Sequence, residues 1–233
     1  NILGASLGLA ALTDIPENVW PFIVGACAFC LLWFGSYQLL EKIFIGFVVL
    51  MSFCFIVTAA VIRPDISSIV TGIFVPQLND SNFYIALGLV GTTIVPYNFF
   101  IYAMIIQKKW QSVEDLGAAR LDMVFSLIIG GLISMAIIIT SSAAFYGRGI
   151  AITNGADMAL QLEPLLGTWA EAAIAMGLFG AGMSSATAAP LGAAIALTGV
   201  FQWDQNESGN RFRLVWCSVL VTGVFFALIG LQP

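Results

Sequence analysis

The chain consists of apolar runs of about 20 residues, separated by short breaks that hold most of its few charges. A helix that crosses the hydrocarbon core of a membrane needs about 20 mostly apolar residues at 1.5 Å each. Of the 233 residues, 60% are hydrophobic and 9% are charged, whereas a soluble domain carries roughly 25% charged residues. Too few polar side chains remain to cover a water-facing surface. The sequence therefore predicts an all-α polytopic membrane protein.

The predicted spans follow the apolar runs. After an opening half-span, they lie near residues 18–37, 42–62, 82–107, 121–146, 166–202 and 213–231. The run 166–202 is long for one helix, and Pro190 predicts a kink or an interruption in it. Both ends of the chain lie in or close to apolar runs. We therefore expect residues 1–233 to be one transmembrane domain that is truncated at both ends.

The eight basic residues predict the orientation of these spans. Alternate loops hold six of them: Lys42, Lys108, Lys109, Arg120, Arg211 and Arg213. The opposite loops hold Arg63 and Arg148. By the positive-inside rule, the first set of loops is cytoplasmic, and we expect a bacterial-type inner or cell membrane.

Charge and composition also indicate the partners. A net charge of −5 with no histidine argues against nucleic-acid binding, which requires clustered basic residues. The lipid bilayer is the partner that the composition predicts, and the sequence indicates no obligate protein partner.

Helix-breaking residues fall together at the middle of the predicted span 82–107. The sequence there reads Gly-Thr-Thr-Ile-Val-Pro-Tyr-Asn over residues 91–98. Pro96 removes one amide donor and crowds the carbonyl near Thr92, and Asn98 and the threonines can bond to freed backbone groups. Two interpretations fit these residues. One is a proline-kinked packing helix, and the other is the discontinuous helix of a secondary transporter, whose first half-helix points its C-terminal carbonyls at a cation.

This segment resembles the sixth helix of the Nramp (natural resistance-associated macrophage protein) family of divalent metal transporters, whose usual core is Ala-x-x-Met-Pro-His-Asn. The likeness continues, in order and spacing, at Arg-Leu-Asp over 120–122, Leu-Glu-Pro-Leu-Leu-Gly over 162–167 and Ala-Gly-Met-Ser-Ser-Ala-Thr over 181–187. It implies a LeuT-like bundle of two inverted five-helix repeats. The chain would hold the end of the third helix through the ninth, without the first helix and its Asp-Pro-Gly-Asn ligands.

The resemblance also implies which residues form the site. The expected metal ligands are Thr92, Tyr97 and Asn98, and the expected lining residues are Thr93, Val95 and Pro96. The family's methionine falls at Val95, which has no donor atom, and its histidine falls at Tyr97. Thioether sulfur favours transition metals, whereas Mg²⁺ prefers oxygen. Tyrosine, with a pKa near 10, cannot relay protons near neutral pH as imidazole can.

These departures resemble the magnesium-transporting branch of the Nramp-related proteins. We therefore hypothesise a secondary transporter or facilitator of hard divalent cations, Mg²⁺ foremost and Mn²⁺ second, with weak or absent proton coupling. The metal ion is the transported substrate, and no cofactor is expected. Three alternatives stay open: a proton-coupled Mn²⁺ or Fe²⁺ transporter, a sodium-coupled amino-acid symporter of the same fold, and a non-transporting structural or receptor-like relative with this fold. An enzyme is not expected, because the sequence offers no histidine and no nucleophile–base constellation.

Four further polar residues are candidates for coupling or gating, namely Asn1, Asp122, Glu171 and Arg213. Asn1 aligns with a family carboxylate that is linked to proton movement. Asp122 and Arg213 could form a salt bridge at an inner gate, and Glu171 could border an entrance vestibule. Structural roles compete with these: helix capping for Asp122, and a solvated interfacial carboxylate for Glu171.

Overall fold

In the computed structural model, residues 1–13, 15–34, 38–75, 80–110, 112–146, 157–203 and 209–229 are described, with the backbone alone at 38–41, 80–82, 97, 105 and 108. These residues form ten α-helices: α1 (Ile2–Ala11), α2 (Trp20–Phe34), α3 (Gln38–Ile62), α4 (Ile66–Phe74), α5 (Asp80–Thr93), α6 (Pro96–Lys109), α7 (Leu116–Phe145), α8 (Glu163–Leu166), α9 (Ala170–Val200) and α10 (Asn210–Leu228). Within the described ranges no strand occurs, and the predicted all-α class is confirmed.

Among the described residues, five segments are long and apolar enough to cross a membrane: Lys42–Ile62, Phe83–Met104, Val113–Phe145, Glu163–Val200 and Asn210–Leu228. Two shorter apolar helices, Ile2–Ala11 and Trp20–Phe34, fall on the predicted half-span and on the first full span. The helices therefore follow the predicted spans, of which residues 35–37 and 230–231 lie outside the described part.

The long helix α9 is continuous through Pro190, so the predicted interruption of this span is wrong. Pro190 is buried within the bundle. Proline is tolerated inside membrane helices when neighbouring groups and local adjustments satisfy the carbonyl that it leaves without a donor. The span is therefore one 31-residue helix.

Helix α9 is the centre of the bundle, and it packs against α1, α2, α3, α6 and α10. Glycine and alanine dominate its sequence, and small residues let membrane helices approach closely. One buried cluster, around Ala5, Met183 and Trp216, joins α9 to α1, α2 and α10. A second cluster, around Phe55 and Ile174, joins it to α3 and α7.

Asp65 is the N-cap residue of the short helix α4, and two residues separate it from the end of α3. The Asp65 carboxylate accepts hydrogen bonds from the Ser67 amide at 3.1 Å, from the Ser68 amide at 3.2 Å, and from the Ser68 hydroxyl. These bonds occupy amide donors that a helix leaves free at its N-terminus. They also lower the pKa of Asp65, the Ser68 hydroxyl having the largest effect.

Candidate metal centre

The span 82–107 is broken at its middle, as the second of the two interpretations of its sequence predicts. Helix α5 ends at Thr93, Ile94 and Val95 are not helical, and α6 begins at Pro96. The Ile94 amide still donates to Val90 O at 2.9 Å. Val95 is extended, with φ −91° and ψ 124°, as the residue before a proline prefers. Proline suits the first position of a helix because it has no amide hydrogen that would need a partner, so the residues themselves account for the break.

The break leaves backbone oxygen atoms without helical donors. In a continuous helix, the amide of residue 96 would donate to Thr92 O, and proline has none. The last carbonyls of α5 also form the negative end of its dipole, which favours a cation, whereas the first amides of α6 form a positive end. A cation at the break is therefore favoured on the side of α5.

The hydroxyls of Thr92 and Thr93 do not donate hydrogen bonds to these carbonyls. Thr92 Oγ1 donates to Leu89 O at 3.0 Å, and Thr93 Oγ1 donates to the same oxygen at 2.7 Å. Each hydroxyl hydrogen therefore points one turn back along α5, and the lone pairs of each hydroxyl oxygen stay available to a metal ion. Both side chains are exposed.

The other residues of the predicted site lie at the start of α6. Val95 is half-buried, and Pro96 and Asn98 are exposed. The Asn98 amide donates to Val95 O at 3.1 Å, which closes the first turn of α6. Tyr97 lies in this turn, and its side chain is outside the described part.

The donors at this site differ from those of a side-chain metal cluster. Among the described residues, no group of three His, Cys, Asp or Glu side chains could hold a metal ion. Backbone carbonyls, the threonine hydroxyls and the Asn98 amide oxygen are the donors at the break. All of these are oxygen atoms, which suit hard cations.

The candidates for coupling or gating are not brought together. Asp122 pairs with Lys109, with 3.5 Å between Oδ1 and Nζ. The Arg213 guanidinium lies over the Trp33 ring, 4.5 Å from its centroid. The salt bridge between Asp122 and Arg213 is therefore absent from the described residues. No sequence spacing indicated the contact with Trp33, because 180 residues separate the two.

Asn1 and Glu171 also lie apart. Gly8 faces Ala175, and Gly182 faces Ala5, so α1 and α9 run antiparallel. Continuing this pairing places Asn1 level with residue 186 or so, about 22 Å along α9 from Glu171 at 1.5 Å per residue. Both side chains are exposed, and Glu171 lies in the first turn of α9, where a carboxylate is favoured by the helix dipole.

Comparison with known proteins gives one consistent family. The family model described as natural resistance-associated macrophage protein-like matches residues 1–233. A protein named divalent metal cation transporter MntH, from Caldanaerobacter subterraneus subsp. tengcongensis, is 27% identical over 240 residues, covering 99% of this chain and 56% of that protein. Its namesake from Deinococcus radiodurans is 27% identical over 244 residues, covering 99% and 54%.

A third relative of the same name, from Yersinia pestis, is 25% identical over 203 residues, covering 84% of this chain and 50% of that protein. The chain thus spans about half the length of the curated relatives it matches. The family match covers the whole chain, and five helical segments in the part that the structure describes are long and apolar enough to span a membrane. The all-α chain with a discontinuous helix is therefore an integral membrane protein with the LeuT-like fold, and it belongs to the Nramp family.

Proposed function

We propose that this protein is a secondary transporter or facilitator of divalent metal cations, and that it holds the ion at the break between α5 and α6. The observation that carries the proposal is the interruption at Ile94 and Val95, which leaves Thr92 O without a helical donor in the middle of a span. Unwound backbone is tolerated at this depth only against protein or a water-filled cavity. The relatives named divalent metal cation transporters support the same function.

The donor set favours a hard cation. We assign the local ligands to Thr92, Tyr97 and Asn98, with Thr93, Val95 and Pro96 lining the site. Oxygen atoms are the donors throughout, and Val95 contributes none where the family's usual core has a thioether. Mg²⁺ dehydrates reluctantly and keeps several of its waters. The exposed hydroxyls and amide at the break leave room for such a partly hydrated ion.

Weak proton coupling is the second part of the proposal. Tyr97 occupies the position of the family's histidine, and a phenol stays protonated near neutral pH. Asn1 cannot titrate where the family has a carboxylate. We therefore propose that the ion moves down its electrochemical gradient with little accompanying proton flow. Asp122, Glu171 and Arg213 are then candidates for gating through their charges, and none of them needs to relay a proton.

The direct test is uptake of Mg²⁺ and Mn²⁺ into proteoliposomes that contain the full-length protein, with an internal pH indicator. We expect Mg²⁺ uptake, competition between the two ions, and little acidification. Mn²⁺ uptake that excess Mg²⁺ does not inhibit, together with coupled acidification, would overturn the proposal in favour of the proton-coupled Mn²⁺ or Fe²⁺ transporter. Sodium-driven amino-acid uptake without metal flux would establish the amino-acid symporter, which the family match disfavours.

A single substitution tests the role of residue 95. Val95→Met restores a thioether, and we expect it to raise the ratio of Cd²⁺ to Mg²⁺ uptake about tenfold, equivalent to about 1.4 kcal/mol of differential binding. Val124→Met is the matched control, because Val124 is 45% exposed on α7 and lies in a different span. An unchanged ratio in Val95→Met, with normal uptake of Mg²⁺, would show that residue 95 does not contact the ion.

A further inference from the structure

An open groove of about 650 Å³ runs along α10 beside the C-terminal end of α2. Its lining begins at Asn210 and Arg213, continues along one side of α10 to Thr222, and includes Trp33 of α2. The twelve residue-to-residue steps from Asn210 to Thr222, at about 1.5 Å each, make the groove about 18 Å long. Half of the hydrocarbon core of a bilayer measures about 15 Å. The groove therefore has the length of one membrane leaflet.

Arg213 lines one end of the groove, and Arg211 is a second arginine of α10 outside that lining. The Arg213 guanidinium lies 4.5 Å from the centroid of the Trp33 ring, and Arg211 lies 5.3 Å from the centroid of the Trp203 ring. No carboxylate among the described residues pairs with either arginine. Stacking on an indole leaves the guanidinium N–H groups free to donate, and their planar fork matches phosphate oxygens. Tryptophan and arginine at the end of a membrane helix are typical of the headgroup level.

The rest of the groove is apolar. Leu214 and Val221 expose 69% and 65% of their surface, and the smaller Cys217 and Ser218 lie between them. Ser218 Oγ donates to Leu214 O at 2.8 Å, and Thr222 Oγ1 donates to Ser218 O at 2.7 Å. Both hydroxyl hydrogens are thus bonded within α10, and neither is left without a partner when hydrocarbon covers it.

We propose that this groove is a binding site for one anionic glycerophospholipid. Its phosphate contacts Arg213, and one acyl chain lies along Leu214 and Val221 towards the middle of the membrane. Two features of the groove select this ligand together. A free phosphate would leave the apolar floor uncovered, and a zwitterionic lipid would place a positive charge near Arg213.

The test is lipid retention by the purified full-length protein, measured by native mass spectrometry after incubation with phosphatidylglycerol or phosphatidylcholine. We expect phosphatidylglycerol to be retained and phosphatidylcholine to be lost. Arg213→Gln should reduce the retention of phosphatidylglycerol about tenfold, the loss expected for one charged hydrogen-bonding contact. Arg120→Gln is the matched control, because Arg120 is an exposed arginine near the start of α7 and outside the groove.

A second variant tests whether lipid binding needs the apolar floor of the groove in addition to the positive charge. Ser218→Trp keeps both arginines and fills the floor, and we expect it to lose phosphatidylglycerol as Arg213→Gln does. Equal retention of the two lipids, or an equal loss in Arg120→Gln, would overturn the proposal. The proposal would also be overturned if Ser218→Trp retained the lipid, or if inorganic phosphate at the concentration of the lipid displaced it. Either result would show that surface charge alone accounts for the retention.

Discussion

The crossing of α1 and α9 leaves no room for a side chain at Gly182. A Cβ atom built there would lie 2.7 Å from Ala5 Cβ and 2.8 Å from Ala5 Cα, and closer still to the Ala5 amide nitrogen. Carbon atoms prefer separations of about 3.5–4.0 Å. Gly182→Ala therefore requires α1 to move away from α9 by about 1 Å, because a helix backbone cannot rotate aside as a side chain can.

The size of the effect follows from two opposing contributions. Overpacking a close-packed interior costs about 1–3 kcal/mol, and the rigid neighbour at Ala5 places this site at the upper end. Replacing glycine by alanine inside a helix recovers up to about 1 kcal/mol. We therefore expect Gly182→Ala to destabilise the protein by about 2 kcal/mol. At about 2–4 °C per kcal/mol for a domain of this size, the melting temperature should fall by about 4–8 °C.

The change is measured by heating the full-length protein in detergent and determining the remaining folded fraction by gel filtration. Gly130→Ala in α7 is the matched control, because a Cβ atom there meets nothing within 4 Å. The control should melt at the parent temperature or slightly above it. If Gly182→Ala melted at the same temperature as Gly130→Ala, the close contact between α1 and α9 would be wrong.

Three further experiments test other elements of the structure. Pro96→Ala returns an amide donor to the break, and we expect α5 and α6 to join and proteoliposome metal uptake to fall; uptake equal to that of the parent protein would contradict the role of the break. Hydrogen bonds, above all the one from the Ser68 hydroxyl, lower the pKa of Asp65 from its ordinary value of 3.8. The ionised Asp65 cap therefore stabilises α4 fully at pH values above 3.8. This stabilisation is lost as the pH falls through the lower pKa that Asp65 has in the folded protein. Hydrogen exchange in α4, corrected for intrinsic rates, should rise at that pH and in Asp65→Ala, and pH-independent protection would refute this. If the ion pair between Lys109 and Asp122 joins α6 to α7 at a gate, reversing the charge of either residue alone should slow transport, and reversing both charges should restore it. Equal transport rates in all three variants would show that the pair is a surface ion pair without a role in gating.

The helix break was predictable because its cause is local. Pro96 lacks an amide hydrogen in every context, and the residue before it avoids helical dihedral angles. The sequence alone could not distinguish a kinked helix from a discontinuous one. The structure resolves this, since the two residues before Pro96 leave the helix. Pro190 shows the limit of the same argument, because α9 continues through it where neighbouring helices surround the proline.

The partners of charged side chains were not predictable, because they depend on tertiary packing. Asp122 pairs with Lys109 across the turn between α6 and α7, and Arg213 stacks on Trp33. A sequence shows which residues carry charge, and it does not show how helices rotate about their axes. Helix α10 packs against α9, α2 and α1, so Arg213 meets Trp33 of α2 and not Asp122 of α7.

The position of the proposed cation site and its choice of ion depend on different parts of the sequence. Carbonyl oxygens have the same chemistry whatever side chain their residue carries, so the break places hard donors at the middle of the span through the backbone. Sulfur and imidazole can come only from side chains, at positions 95 and 97. A chain can therefore keep the break and change its preferred ion through one or two substitutions. On this reasoning, Val95→Met should alter the order of ions transported while Mg²⁺ still enters, whereas Pro96→Ala should reduce the uptake of every ion.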